Sequence, residues 1–438
     1  MRDKIASVVK RIEEISNRKA IRVISHHDTD GITSAAIFSR ALQRWNKKFT
    51  LQIVKGLDKG IIDALPEKEV LIFLDLASGS LDYLKEKKTE VFILDHHEIA
   101  QKIPENVTVI NPLLFNEEMC SGAALAYLFA REISENNRDL ANLAVLGMIG
   151  DMLDTNIGKL YSEIIKDAEV ISKKGLLLYP STRPLDKALE YSTSLYIPSV
   201  TGSFKGVMEL LRDADIVRGQ NGFKSLAELT DEEMSRLITA IMLRRLGDNV
   251  AGDIVGTIYL IKFFNKLEDA RELSAIVNAC SRMGSPESAL GFCLGNKSSK
   301  REAEQIYITY KQSIAAAMKY ISESNKITGK NYTIINAQDK IKDTIIGTAA
   351  SIMSFSPLYP EGTVIIAMAY DQDKIKISAR LAGRKGRNVR EILTKVVMPL
   401  KGEVGGHPNA AGGLIPREKE GEFIEELKRV LEIELIKI

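Results

Sequence analysis

The chain has 438 residues, 45% hydrophobic and 27% charged, with 60 Lys and Arg against 58 Asp and Glu and a formal net charge of +2. That length predicts two or three domains, each with its own core. With no apolar run near the roughly 18 residues that suggest a membrane helix, and a charged N-terminus (MRDKIASVVKRIEEIS) without a signal-peptide core, a cytoplasmic protein without a membrane partner is expected. Over residues 1–165 the short apolar runs AIRVIS, FTLQIV, EVLIFLDLA, TEVFILD and VTVINP alternate with the helix-length segments ITSAAIFSRALQRW and SGAALAYLFAREISE. This reads as βαβ units building a parallel sheet. Residues 166–325 turn mainly helical, with TDEEMSRLITAIMLRRLG and KREAEQIYITYKQSIAAAMKYI as the clearest segments. Residues 326–438 return to strand patterns: NYTIINAQ, then TVIIAMAY and KIKISARLA joined by DQDK, then the helix VREILTKVVM and the glycine-rich GGHPNAAGG. An α/β protein is expected, with a smaller C-terminal domain built on a mixed sheet.

Cys120, Cys280 and Cys293 form no CxxC pair, so neither a disulfide framework nor a thiolate-held metal is indicated. The five histidines are His26 and His27 in SHHDTDG, His96 and His97 in LDHHE, and His407 in GGHPNAAGG. Each lies in a polar or glycine-bounded motif rather than on an apolar face. Asp28, Asp30, Asp75 and Asp95 fall at the carboxyl ends of predicted strands, where ligands gather in open α/β sheets. Asp151, in LGMIGDMLDT, enters from the end of a helix whose Gly147 and Gly150 allow close backbone approach. Carboxylates facing one crevice repel one another unless cations neutralise them. Imidazole and carboxylate donors without thiolates suit manganese, ahead of magnesium, iron, cobalt or zinc. Six such ligands around a shared aspartate would hold two divalent ions about 3.5–4 Å apart, an arrangement used in phosphoryl hydrolysis.

SHHDTDG, FLDLA, LDHHE, GMIGD and GGHPNAAGG, in this order from Ser25 to Gly413, resemble the successive motifs of the DHH phosphoesterase superfamily with a C-terminal DHHA1 domain. Within it the chain is most similar to RecJ-type single-strand exonucleases, and in particular to the archaeal RecJ-like proteins that associate with GINS. SAIVNACSRMGSP resembles the NAxGR motif of that group, with Asn278 and Arg282 at matching positions and Ser281 in place of the usual glycine.

The resemblance implies that His26 and Asp28 hold one metal, Asp30, His96 and Asp151 the other, and that Asp75 bridges both. It implies that His97 contacts the scissile phosphate and that Asp95 orients its neighbours. His27 is left as a supporting or substrate-facing residue, and ordinary structural roles stay open for Asp95 and His27. It implies substrate binding by Arg380 and by Gly405, Gly406 and His407, with the catalytic cleft between the first and last domains. The basic run from Arg380 to His407, which includes Arg384, Lys385 and Arg387, holds seven Lys and Arg residues against Glu391 and Glu403. A run of this kind favours a long anionic strand over a small nucleotide. The expected activity is a manganese-dependent exonuclease, with magnesium as the other candidate ion, that releases mononucleotides from single-stranded DNA or RNA in replication or repair. Expected partners are the strand itself and GINS or other replicative-helicase components. The rival readings are an oligoribonuclease or nucleotide phosphatase of the same superfamily and a catalytically inactive helicase scaffold.

Overall fold

Five strands, β1 (Ile21–His26), β2 (Phe49–Val54), β3 (Val70–Leu74), β4 (Val91–Leu94) and β5 (Val107–Ile110), pair in parallel in the order β2-β1-β3-β4-β5. The computed structural model describes every residue except 100, 193, 194, 196, 246–253, 357, 384 and 434–438. It divides into two compact units, Met1–Tyr307 and Ile308–Ile438. Among the described residues no helix is long and apolar enough to cross a membrane.

The central strands β3 (VLIFL) and β4 (VFIL) are buried along their whole length, as continuous apolar runs in a parallel sheet covered on both faces must be. The edge strand β2 alternates between half-buried and exposed positions. One face carries the helices Thr29–Arg44, Gly122–Ile133 and Ala141–Gly150, which pack on one another. Nearly every residue of Ala141–Gly150 (ANLAVLGMIG) is apolar, and it is buried all round, as such a helix must be. Ile24, Leu71, Phe73, Val91 and Ile93 build a core with Leu81 and Leu84.

Beyond residue 165 the expected helices Asp231–Arg244 and Lys297–Glu323 form. They are joined in this part of the chain by a feature the helical reading lacks, an antiparallel sheet in the order β6-β7-β8. Its strands are β6 (Ile171–Leu176), β7 (Val255–Phe263) and β8 (Lys266–Asp269). The reason it escapes periodicity is local. ISKKGL is a lysine-bearing edge strand, exposed over half its length, and β7 buries four consecutive residues rather than alternate ones. Leu176, Ile258 and Leu260 of this sheet share one core with Leu210, Leu211, Leu237 and Ile241 of the helices Phe204–Asp213 and Asp231–Arg244.

The second unit holds a mixed six-stranded sheet, order β13-β14-β12-β11-β10-β9. Its strands are β9 (Ile327–Gly329), β10 (Tyr332–Asn336), β11 (Val364–Asp371), β12 (Lys374–Leu381), β13 (Glu403–His407) and β14 (Ala410–Pro416). Only β10 and β11 run parallel, joined through the helix Asp343–Ser354. GGHPNAAGG forms the tip of the hairpin of β13 and β14.

Candidate metal centre

The strand order reverses at β1, which has β2 on one side and β3 on the other, and the crevice at such a switch point is where open α/β sheets bind ligands. Past His26 the chain turns directly into a helix. Asp28 caps it, accepting the Gly31 N–H at 3.0 Å. Its other oxygen, Oδ2, lies 3.0 Å from His26 Nδ1. One residue on, Asp30 is inside the helix and fully buried. Its two oxygens accept the N–H groups of Gly122 and Ala123, at the N-terminus of the helix Gly122–Ile133. Ser121 caps that helix. This anchor was missed in the sequence, where SGAA reads only as a helix start.

Asp75 follows β3 in the left-handed backbone region (φ 58°), a conformation that aspartate tolerates better than most residues. Its carboxylate is buried and faces two ways. Oδ2 lies 3.4 Å from His26 Nδ1, while Oδ1 lies 3.2 Å from His96 Nε2. The same His96 nitrogen is 3.1 Å from Asp151 Oδ2 and 3.8 Å from Asp30 Oδ2. Among the described residues Asp75 takes part in three groups of ligand atoms, His26–Asp28–Asp75, Asp30–Asp75–His96–Asp151 and Asp75–Asp95–His96–His97, with all atoms in each within 4.8 Å of one another.

Asp95 is spent on the protein. Its Oδ1 accepts the His97 Nδ1–H at 2.7 Å and the His96 backbone N–H at 2.8 Å, and Oδ2 accepts the Ser78 N–H at 2.9 Å. These bonds orient both imidazoles and turn Nε2 of His97, whose side chain is 55% exposed, away from Asp95.

The electrostatics reflect the crowding. Burial opposes protonation of His26 and His96, but contacts with Asp28 and Asp75 for the first, and Asp151 and Asp75 for the second, outweigh it and push each pKa up to about 11. Burial and the charges of Asp151 and Asp75 raise Asp30 well above the carboxylate range, and burial with the charge of Asp28 raises Asp75. Burial also disfavours ionised Asp28 and Asp95, yet His26 and His97 respectively hold them below that range. The hydrogen bond to Asp95 raises His97. Burial and the charge of His26 lower His27 to about 4, and Arg282 adds to that effect.

His26 Nδ1, Asp75 Oδ2 and Asp151 Oδ2 are buried without a hydrogen bond. Buried ligand atoms that meet one another at 3.0–3.4 Å without a well-directed hydrogen bond fit a divalent cation, and the absence of thiolates among them fits manganese or magnesium.

Asn278 and Arg282 lie on the helix Ala270–Arg282, which packs against Thr29–Arg44 and Ala141–Gly150. Arg282 Nε donates to Asn278 Oδ1 at 3.2 Å. In the second unit, Arg380 on β12 donates to Ser351 Oγ at 2.9 Å and to the Ala379 carbonyl at 2.9 Å. Gly405, Gly406 and His407 are exposed on β13. Lys385 is exposed, whereas Arg387 is half-buried and donates to the Leu431 carbonyl at 2.9 Å. Arg384 lies outside the described residues.

The DHH family N-terminal domain matches residues 20–148, the DHH-CID domain residues 178–258 and the DHHA1 domain residues 329–433. An uncharacterized protein of Methanocaldococcus jannaschii is 30% identical over 450 residues, spanning 98% of this chain and 97% of its own. The chain belongs to the DHH family, as a RecJ-like member. Among its relatives is the single-stranded-DNA-specific exonuclease RecJ of Haemophilus influenzae, 27% identical over 177 residues, 33% of this chain and 31% of that one. The fold is shared with manganese-bound RecJ of Thermus thermophilus (TM-score 0.62, 18% identity, 97% of this chain and 54% of that one). It is shared too with CDC45 of Entamoeba histolytica (TM-score 0.66, 11% identity, 97% and 99%). The chain thus spans about a third of the Haemophilus exonuclease and about half of the Thermus one.

Proposed function

We propose that this DHH family member is a manganese-dependent exonuclease that removes mononucleotides from an end of single-stranded DNA, with RNA strands as further substrates. The observation that carries the reading is the split of Asp75, whose two oxygens face two separate sets of nitrogen and oxygen ligands. In this reading His26 and Asp28 hold one ion, Asp30, His96 and Asp151 hold the other, and Asp75 belongs to both. Two divalent ions bound there would activate water and stabilise the leaving oxygen of a phosphodiester.

The protein side chains do the remaining work. Asp95 fixes the His97 ring through Nδ1 and raises its pKa, which leaves Nε2 to meet the scissile phosphate and to serve as the donor toward the leaving oxygen. Asn278 and Arg282 hold the substrate near His27. In the second unit, Arg380, Lys385 and Arg387, together with the backbone of Gly405, Gly406 and His407 and with Arg384, take successive backbone phosphates. The full set of six ligand residues counts against a purely structural replication scaffold. Binding to GINS or other replicative-helicase components is compatible with this chemistry and belongs to the same reading.

The test is digestion of single-stranded DNA and RNA labelled at either end, with manganese, beside a dinucleotide and a nucleotide 3′,5′-bisphosphate. Processive loss of mononucleotides from one end of the long strands is expected. Preference for the short compounds would remove the exonuclease reading, and no hydrolysis of any of them by metal-loaded protein would remove the enzymatic one.

A further inference from the structure

Phe355 is 80% exposed and Leu358 82% exposed in the segment SFSPLYPEG, which links the helix Asp343–Ser354 to β11. Residues of this type are ordinarily buried. Their position is specific. Phe355 continues the helix in α conformation, four residues beyond Ser351, and residues at that spacing share a helix face. Ser351 is the residue whose hydroxyl receives Arg380 Nε at 2.9 Å. The exposed ring thus sits one helical turn from the partner of the guanidinium that the proposed function assigns to a phosphate.

The surroundings are polar and cationic. The Gly362 N–H donates to the Ala382 carbonyl at 2.8 Å, so the segment lies beside the basic loop that follows β12. There the Lys385 N–H donates to Glu361, the one carboxylate of the segment, at 3.3 Å. The Leu381 N–H donates to Asn409 at 3.0 Å and the Val389 N–H to Pro408 at 2.7 Å, so the tip of the β13–β14 hairpin with His407 stands at the same end of the sheet. An exposed aromatic ring next to phosphate-binding cations is the combination with which single strands are gripped without sequence preference: charges follow the backbone and the ring stacks on a base.

We infer that Phe355, flanked by Leu358, is a nucleobase-stacking residue of the second unit, engaging a base of the single strand whose backbone runs past Arg380 and Lys385. This rests on the proposed function and adds a contact for bases, where the motif residues supply contacts for phosphates only.

The test compares Phe355→Ala and Phe355→Trp with the wild-type chain in binding to oligothymidylate and to an abasic strand with the same number of phosphates, in EDTA so that nothing is cleaved. Loss of one stacked base should weaken binding of the base-bearing strand by about 5- to 150-fold in the alanine variant. The abasic strand and the salt dependence of binding should be unchanged, since no charge is removed. The tryptophan variant should retain affinity, and its added fluorescence should be quenched by oligothymidylate and not by the abasic strand. Thermal melting of both variants should match the wild type, because the ring makes little burial. If wild type and Phe355→Ala bind oligothymidylate equally, the inference fails and the exposed ring is left for a protein partner. Equal weakening on both strands overturns it as well, pointing to a structural role. If the wild type binds neither strand, the proposed function fails and the inference falls with it.

Discussion

Replacing Gly147 by alanine probes how tightly the candidate metal centre is packed. A Cβ at this position of the helix Ala141–Gly150 would stand 2.4 Å from Asp30 Oδ1, 2.4 Å from Ala123 Cβ and 2.9 Å from Thr33 Oγ1. Non-bonded carbons rest at about 3.5–4.0 Å, so roughly 1 Å of movement is required. Asp30 cannot yield freely, because Gly122 and Ala123 hold both of its oxygens. Alanine favours the helix by about 1 kcal/mol over glycine, and overpacking costs about 1–3 kcal/mol, so the net loss is at most about 2 kcal/mol and the fold survives. The site fares worse, since displacing one group by about 1 Å can cost about 100-fold in rate. We expect manganese-dependent hydrolysis to fall about 100-fold and manganese affinity, measured by calorimetry, about 10-fold or more, with melting of the metal-free protein lowered by a few degrees. A folded variant with wild-type affinity and rate would refute the reasoning.

Three further outcomes are expected. Asp75→Asn keeps the tolerance for a positive φ and therefore the fold, but it removes the charge that the ligand groups share, so hydrolysis should be abolished; a rate near wild type in manganese would reduce Asp75 to a strand-end residue. Because His26 and His96 have pKa values near 11 in the folded chain against about 6.5 when unfolded, their contacts stabilise the metal-free protein fully below about 6.5, and that contribution is lost as pH rises toward 11. Melting temperature in EDTA should therefore decline across that window, and manganese binding at pH 7.5 should release protons, detectable by titration in buffers of different ionisation enthalpy; binding without proton release would contradict the assignment. Neutralising Arg384 and Lys385 together should reduce the salt slope of single-strand binding by about 1.4 while leaving dinucleotide cleavage unchanged, and an unaltered slope would mark the run as ordinary solvated surface.

Much of the site could be read from the chain because its information is local. Strands that end in SHHD, FLDL and LDHH carry their polar residues at a strand end whatever the sheet does next. The five strands of the first sheet and the helices over ITSAAIFSRALQRW and SGAALAYLFAREISE follow from periodicity and capping in the same way. Where the pattern is weak the structure does not show in the sequence, as in the β6-β7-β8 sheet, whose edge strand ISKKGL is half polar. Arg387 shows another gap: its charge was visible, but its bond to the Leu431 carbonyl was not.

The sequence by itself determined the donor types, imidazole and carboxylate without thiolate, and their places at the carboxyl ends of strands, because side-chain chemistry and strand periodicity are written residue by residue. Only the tertiary structure decided that β1 lies between β2 and β3, which brings His26, Asp75 and His96 to one crevice from strands far apart in sequence. It also decided that the backbone of Gly122 and Ala123 anchors Asp30, that Gly147 leaves room for that carboxylate, and that Phe355 stands exposed a turn from the partner of Arg380. Each of these depends on which distant segments pair and pack, a choice made by the summed burial of the core and the register of the sheets rather than by any short stretch of the chain.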